Sequence, residues 1–124
     1  MSSPAPQPLT PAGARRLYRI LLYAGGEEAL DPREREVLET FRERWGIEPD
    51  EAARIEAERS DTGRLSLGAE VGERAHLVAA LVELVAADGR LDQDEQRRLQ
   101  RLAEFLGLPR QELVRELLER LAGP

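Results

Sequence analysis

Residues 86–95 read Ala86-Ala87-Asp88-Gly89-Arg90-Leu91-Asp92-Gln93-Asp94-Glu95. Gly89 interrupts a helical run, and Asp92 is suited to cap the next helix, with Glu95 at its third position. Upstream, Leu77, Val78, Leu81, Val82, Leu84 and Val85 recur at helical spacing. They cover more than half of a helix circumference, which predicts a central, mostly buried helix over about 70–87. Downstream, Leu99, Leu102, Phe105 and Leu106 form the inward face of a second helix that Gly107 stops. Pro109 then opens a last helix carrying Leu113, Leu117, Leu118 and Leu121.

The same corner stands 61 residues earlier. Leu30 falls on Leu91, Asp31 on Asp92, Glu34 on Glu95, Leu38 on Leu99, Glu43 on Glu104, Gly46 on Gly107, Glu51 on Glu112 and Arg54 on Arg115, without a gap. Apolar pairs join them: Leu17 with Val78, Ile20 with Leu81, Phe41 with Leu102, Ile47 with Leu108. Glu27 falls on Asp88, so an acid precedes each turn. Amphipathic helices resemble one another at many offsets; matched acids and glycines at helix ends are harder to obtain by chance. The first unit opens at Thr10-Pro11, a cap followed by a first-turn proline, and carries Leu17, Ile20, Leu21 and Ala24 to Gly25-Gly26. Asp31-Pro32 starts its second helix, which Gly46 ends as a left-handed glycine, and Pro49 opens its third, to about Arg59.

The expected fold is all-α: a compact bundle of about six helices from two tandem three-helix repeats related by a pseudo-two-fold axis. Residues 1–9, with three prolines, read as a disordered tail. A single domain follows over 10–124, with repeat one over about 10–59, a linker over about 60–69 and repeat two over about 70–122.

Composition narrows the function. The 124 residues are 41 % apolar and 34 % charged, which suits one globular core under a charged surface. Aromatics are 4 %, so Leu, Val and Ala must fill that core. The absence of Cys removes disulfides and thiolate metal sites, and one histidine, His76, cannot build a His-rich zinc site. The net charge is −6; residues 1–62 carry 13 acids and 9 arginines, and residues 63–124 carry 11 and 9. Both halves are acidic, so no footprint for nucleic acid or an anionic membrane is visible. Arg and Glu interrupt every apolar run, which argues against membrane insertion, and the N-terminus lacks the pattern of a signal peptide. A cytoplasmic location is the default expectation.

Residues 84–95 overlap the back half of an EF-hand loop, with Asp88, Gly89, Asp92 and Glu95 at positions five, six, nine and twelve. Positions one and three would be Leu84 and Ala86, which offer no side-chain oxygen, so an ordinary EF-hand is excluded.

Ala87-Asp88-Gly89, with Glu95 seven residues after the Asp and then Leu99, Ala103 and Leu106-Gly107-Leu108, resembles the signature of the TerB-like family, named for bacterial tellurite resistance. In the first half Gly26-Glu27-Glu28 stands where the signature has Ala-Asp-Gly. The resemblance implies a repeated helical domain with an acidic cluster, proposed as a metal site, near its pseudo-two-fold axis. Carried over residue by residue, the metal ligands are Asp88 and Glu95, with Glu27 and Glu34 as counterparts. Converging carboxylates repel, and a hard cation such as Ca²⁺ or Mg²⁺ would relieve them.

The expected function is a non-catalytic TerB-like interaction module, with a protein partner, in a bacterial stress response. Three other readings stay open. Asp31 with Glu34, and Asp92 with Glu95, also form capping pairs that the helix dipole favours without any metal. A small metal-dependent enzyme would use the same carboxylates, although no phosphate loop or nucleophile–base pair accompanies them. A metal-free adaptor or homodimer would show an exposed apolar patch on the last helix. His76 reads as a surface residue, Phe41 and Trp45 as core, Tyr18 and Tyr23 as half-buried, and Arg97-Arg98 with Arg101 as a solvated face.

Overall fold

Thr10 sets the first helix. Its hydroxyl accepts the Gly13 N–H at 3.1 Å, satisfying one of the amides that a helix start leaves without an intrahelical partner. The computed structural model describes residues 9–24, 32–58, 65–68, 71–88, 93–109 and 111–122. Among them lie six helices: α1 (Pro11–Ala24), α2 (Pro32–Arg44), α3 (Pro49–Ala57), α4 (Val71–Asp88), α5 (Gln93–Phe105) and α6 (Glu112–Leu121). The chain is all-α, as expected. The tail up to residue 8, most of the linker and the capping residues Asp31 and Asp92 lie outside the described residues.

The second helix of each half ends in the same way. Ile47 N–H reaches back to Arg42 C=O at 3.0 Å and Gly46 N–H to Glu43 C=O at 3.2 Å. Leu108 N–H reaches Ala103 C=O at 2.8 Å and Gly107 N–H reaches Glu104 C=O at 3.1 Å. Gly46 and Gly107 sit at φ 71° and 73°, the left-handed conformation this closure requires and one that a side chain disfavours. The last helix departs from expectation. It begins at Glu112, because Pro109 first forms a turn in which its carbonyl accepts the Glu112 N–H at 3.2 Å.

Helices α1 and α4 pack on each other at the centre. Helix α2 lies on α4 and α5 on α1, so each half sends its second helix onto the other half's first; α3 packs on α1 and α6 on α4. The halves differ elsewhere: α5 packs along α6, whereas α2 and α3 scarcely touch. Leu17, Ile20, Leu21, Leu77, Leu81, Leu102 and Leu117 are fully buried; of the α4 positions expected to be central, Leu77, Val78, Leu81 and Leu84 are buried and Val82 and Val85 half-buried, while Ala80 joins the core unforeseen. The described part of the linker is anchored: Leu65 is buried and Leu67 packs against the core.

Aromatic placement follows the helical faces with two corrections. Phe41 is buried and Trp45 packs beside it, ring centroids 4.9 Å apart. Tyr18, expected half-buried, is only 5 % exposed. Phe105, expected inside, is 46 % exposed: Leu102 and Ala103 take the inward face, and its ring meets the edge of Tyr23 at 5.8 Å instead.

Candidate acidic site between the helix starts

Glu34 lies in the first turn of α2 and Glu95 in the first turn of α5, 61 residues apart. The fold brings them together. Both line one small cavity of about 20 Å³, walled by Ala24 at the end of α1, Leu84 and Val85 of α4, and Leu99 of α5. This volume admits one water-sized species. Glu34 and Glu95 are both half-buried, and the Glu95 Oε2 atom is withdrawn from solvent. The other four walls are apolar, so the two carboxylates are the charged side chains in the lining.

Of the other expected ligands, Asp88 is the last residue of α4, but its side chain lies outside the described residues, as does the whole of Glu27. Among the described residues no group of three or more His, Asp or Glu side chains gathers where a metal could be held. The geometry therefore unites one expected ligand from each half.

The sequence model of one protein family, Tellurite resistance protein TerB, matches residues 24–117. The chain belongs to the TerB family. The match spans more than half of the chain and includes Glu27, Glu34, Asp88 and Glu95. No curated protein and no solved structure matches the chain. No helix among the described residues is long and apolar enough to cross a membrane.

Two features of this TerB-family chain escaped the reading of the sequence. Arg98, expected in a solvated face, donates from Nη1 to the Ala24 carbonyl at 3.3 Å, placing a cation on the C-terminal end of α1 beside the acidic cavity. Its partner lies 74 residues away in the chain, beyond any helical periodicity. The second is a buried carboxylate, Glu73, in the first turn of α4. It accepts hydrogen bonds from Arg16 Nε at 3.2 Å, from Arg16 Nη2, and from the Gly68 amide at 2.7 Å. These hold its carboxyl below the usual carboxylate range: the Arg16 bonds are the largest cause and outweigh the opposing effect of burial, and the Gly68 amide adds to them. Nothing in the periodicity of α4 separates Glu73 from a solvated residue.

Proposed function

We propose that this TerB-family protein is a non-catalytic interaction module that binds a divalent cation, Ca²⁺ or Mg²⁺, between the starts of α2 and α5. Glu34, Glu95, Glu27 and Asp88 are its ligands. It serves a protein partner in the cytoplasm, in a bacterial stress response.

The observation that carries this reading is the convergence of Glu34 and Glu95 on one cavity the size of a single ion or water. Carboxylate oxygens are the donors that hard cations take, and Ca²⁺ takes six to eight of them. Two carboxylates cannot fill such a shell, so the reading requires Glu27 and Asp88 as well. A cavity of this size leaves no room for a substrate beside the ion, which favours a structural or regulatory cation over a catalytic one.

Calorimetric titration of the full chain with Ca²⁺ and with Mg²⁺, and melting with and without a chelator, tests this reading. Saturable heat and a melting temperature that falls on chelation are expected, with both effects lost in Glu95→Gln and in Glu34→Gln. Absence of heat and of any chelator effect would leave capping as the whole role of these carboxylates.

A metal-free adaptor or homodimer draws support from one position. Leu118 of α6 is 44 % exposed beside an open groove that includes Val114 and Pro109. Light scattering across a dilution series decides whether self-association accompanies it.

A further inference from the structure

A second cavity, of about 150 Å³, lies between α1, α2 and α3. It is a cleft open to solvent on one side, with Arg35, Glu39, Pro49 and Ala53 exposed at its rim. Tyr18, Leu22 and Leu38 contribute buried side chains to it, and Ala52 of α3 fills little of it. Pro49 and Ala53 also line it, and its charged residues are two arginines and two glutamates, Arg35, Glu39, Arg42 and Glu56, with formal charges that cancel.

These four side chains differ in how firmly they are held. Arg42 is committed: it bonds Glu39 Oε1 through Nε at 2.7 Å and the Ile47 carbonyl through Nη1 at 2.8 Å. Arg35 and Glu56 form a single contact, Nη2 to Oε1 at 3.2 Å, across the gap between α2 and α3. Both are partly exposed, so that pair is screened and readily exchanged. Burial pushes the Tyr18 hydroxyl up from its ordinary value, and the Glu56 and Glu39 carboxylates push it further, so it remains a neutral donor.

The second half of the chain shows that helices of this kind can close without such charges. At the positions 61 residues on, Arg35, Glu39, Arg42 and Glu56 become Gln96, Gln100, Ala103 and Leu117, and Ala52 becomes Leu113. Ala103, Leu113 and Leu117 are fully buried there and α5 packs along α6, with an open surface groove beside Gln100, Glu112 and Arg115. The first half keeps its second and third helices apart and sets balanced charges around the space.

We propose that the cleft between α1, α2 and α3 binds a small zwitterion, an α-amino acid with a small apolar side chain. The ligand carboxylate displaces Glu56 from Arg35, whose guanidinium offers a planar fork to it. Its ammonium group is taken by Glu56 and Glu39, and its side chain meets Leu22, Leu38 and Ala52. One screened surface pair is thereby exchanged for two contacts with the ligand. A plain anion or a plain cation would satisfy half of the lining and face the like charges of the other half. The volume sets the size, since a cavity of about 150 Å³ accommodates a molecule as large as benzene.

Heteronuclear NMR titration of the full-length protein tests the proposal, with glycine, L-alanine, L-proline and L-valine as probes and propionate and ethylammonium as single-charge controls. At least one amino acid is expected to give saturable shifts confined to residues around Tyr18, Arg35 and Glu56, with a Kd below about 1 mM. Arg35→Gln is expected to weaken this at least tenfold. Ala52→Leu, which copies Leu113, is expected to abolish it while keeping or raising the melting temperature. Should Ala52→Leu fail to fold, Ala52→Val adds less bulk and carries the same expectation. No saturation by any amino acid, equal binding of propionate or ethylammonium, or binding that survives both variants would overturn the proposal.

Discussion

The Arg16 guanidinium of α1 closes on the Glu73 carboxylate of α4, which is 1 % exposed, 57 residues along the chain. The pair ties the two central helices together at their N-terminal ends and also holds the 65–68 segment through the Gly68 amide. Two glycines permit it. A Cβ at Gly13 would stand 2.8 Å from Glu73 Oε1, and one at Gly68 would crowd the same oxygen more closely.

Removing one member leaves the other stranded. Arg16→Ala should lower the unfolding free energy by about 2 to 3 kcal/mol in urea, because a buried carboxylate then lacks its counter-charge. Glu73→Gln keeps an acceptor for Gly68 and leaves a partly exposed arginine, so it should cost less, about 1 to 2 kcal/mol. Equal, negligible losses in both variants would show that the pair contributes nothing to stability.

The same pair sets an acid limit. Glu73 has a folded pKa below its unfolded one, so its contribution is complete above the ordinary carboxylate range. It fades as pH falls through the depressed folded value, when the proton that the unfolded state already holds is forced onto the native carboxyl. Denaturation of wild type and Glu73→Gln across pH should therefore give curves that are farthest apart near neutrality and converge under acid conditions. A constant gap would remove Glu73 from the acid response.

Gly46 and Gly107 offer a test of backbone strain separated from packing. A Cβ at either would meet nothing within 4 Å, yet both lie at positive φ. Gly46→Ala and Gly107→Ala should each cost about 1 kcal/mol, and asparagine should cost less at both sites. The two effects should add, as they arise at separate helix ends.

Glu34 and Glu95 separate capping from cation binding. If they act only in the first turns of α2 and α5, each glutamine variant loses a few tenths of a kcal/mol, about 0.3 to 1, and neither responds to Ca²⁺. With a bound cation, added Ca²⁺ raises the wild-type melting temperature logarithmically with its concentration above Kd, and either variant loses that rise. Thermal scans over a Ca²⁺ series distinguish the outcomes.

Much of the bundle was legible in one dimension. Helix α2 starts at Pro32, and α2 and α5 stop where Gly46 and Gly107 place them, because left-handed closure is local chemistry that a few adjacent residues decide. The central role of α4 followed from an apolar face wider than a surface helix needs. The TerB resemblance rested on the same kind of local string and holds over residues 24–117. Glu34 and Glu95 could be singled out for the same reason, their fixed distance from a helix start.

Their meeting was another matter. Whether acids 61 residues apart share a cavity depends on α2 packing onto α4 and α5 onto α1, which no periodicity encodes. The Arg16–Glu73 pair, the reach of Arg98 to Ala24 and the charged cleft around Tyr18 are hidden for the same reason. Local sequence determined where this chain coils and where it turns, since those choices are settled within a few residues. The tertiary structure alone decided which charges are buried and what they face, since burial is a property of the surroundings that distant segments supply.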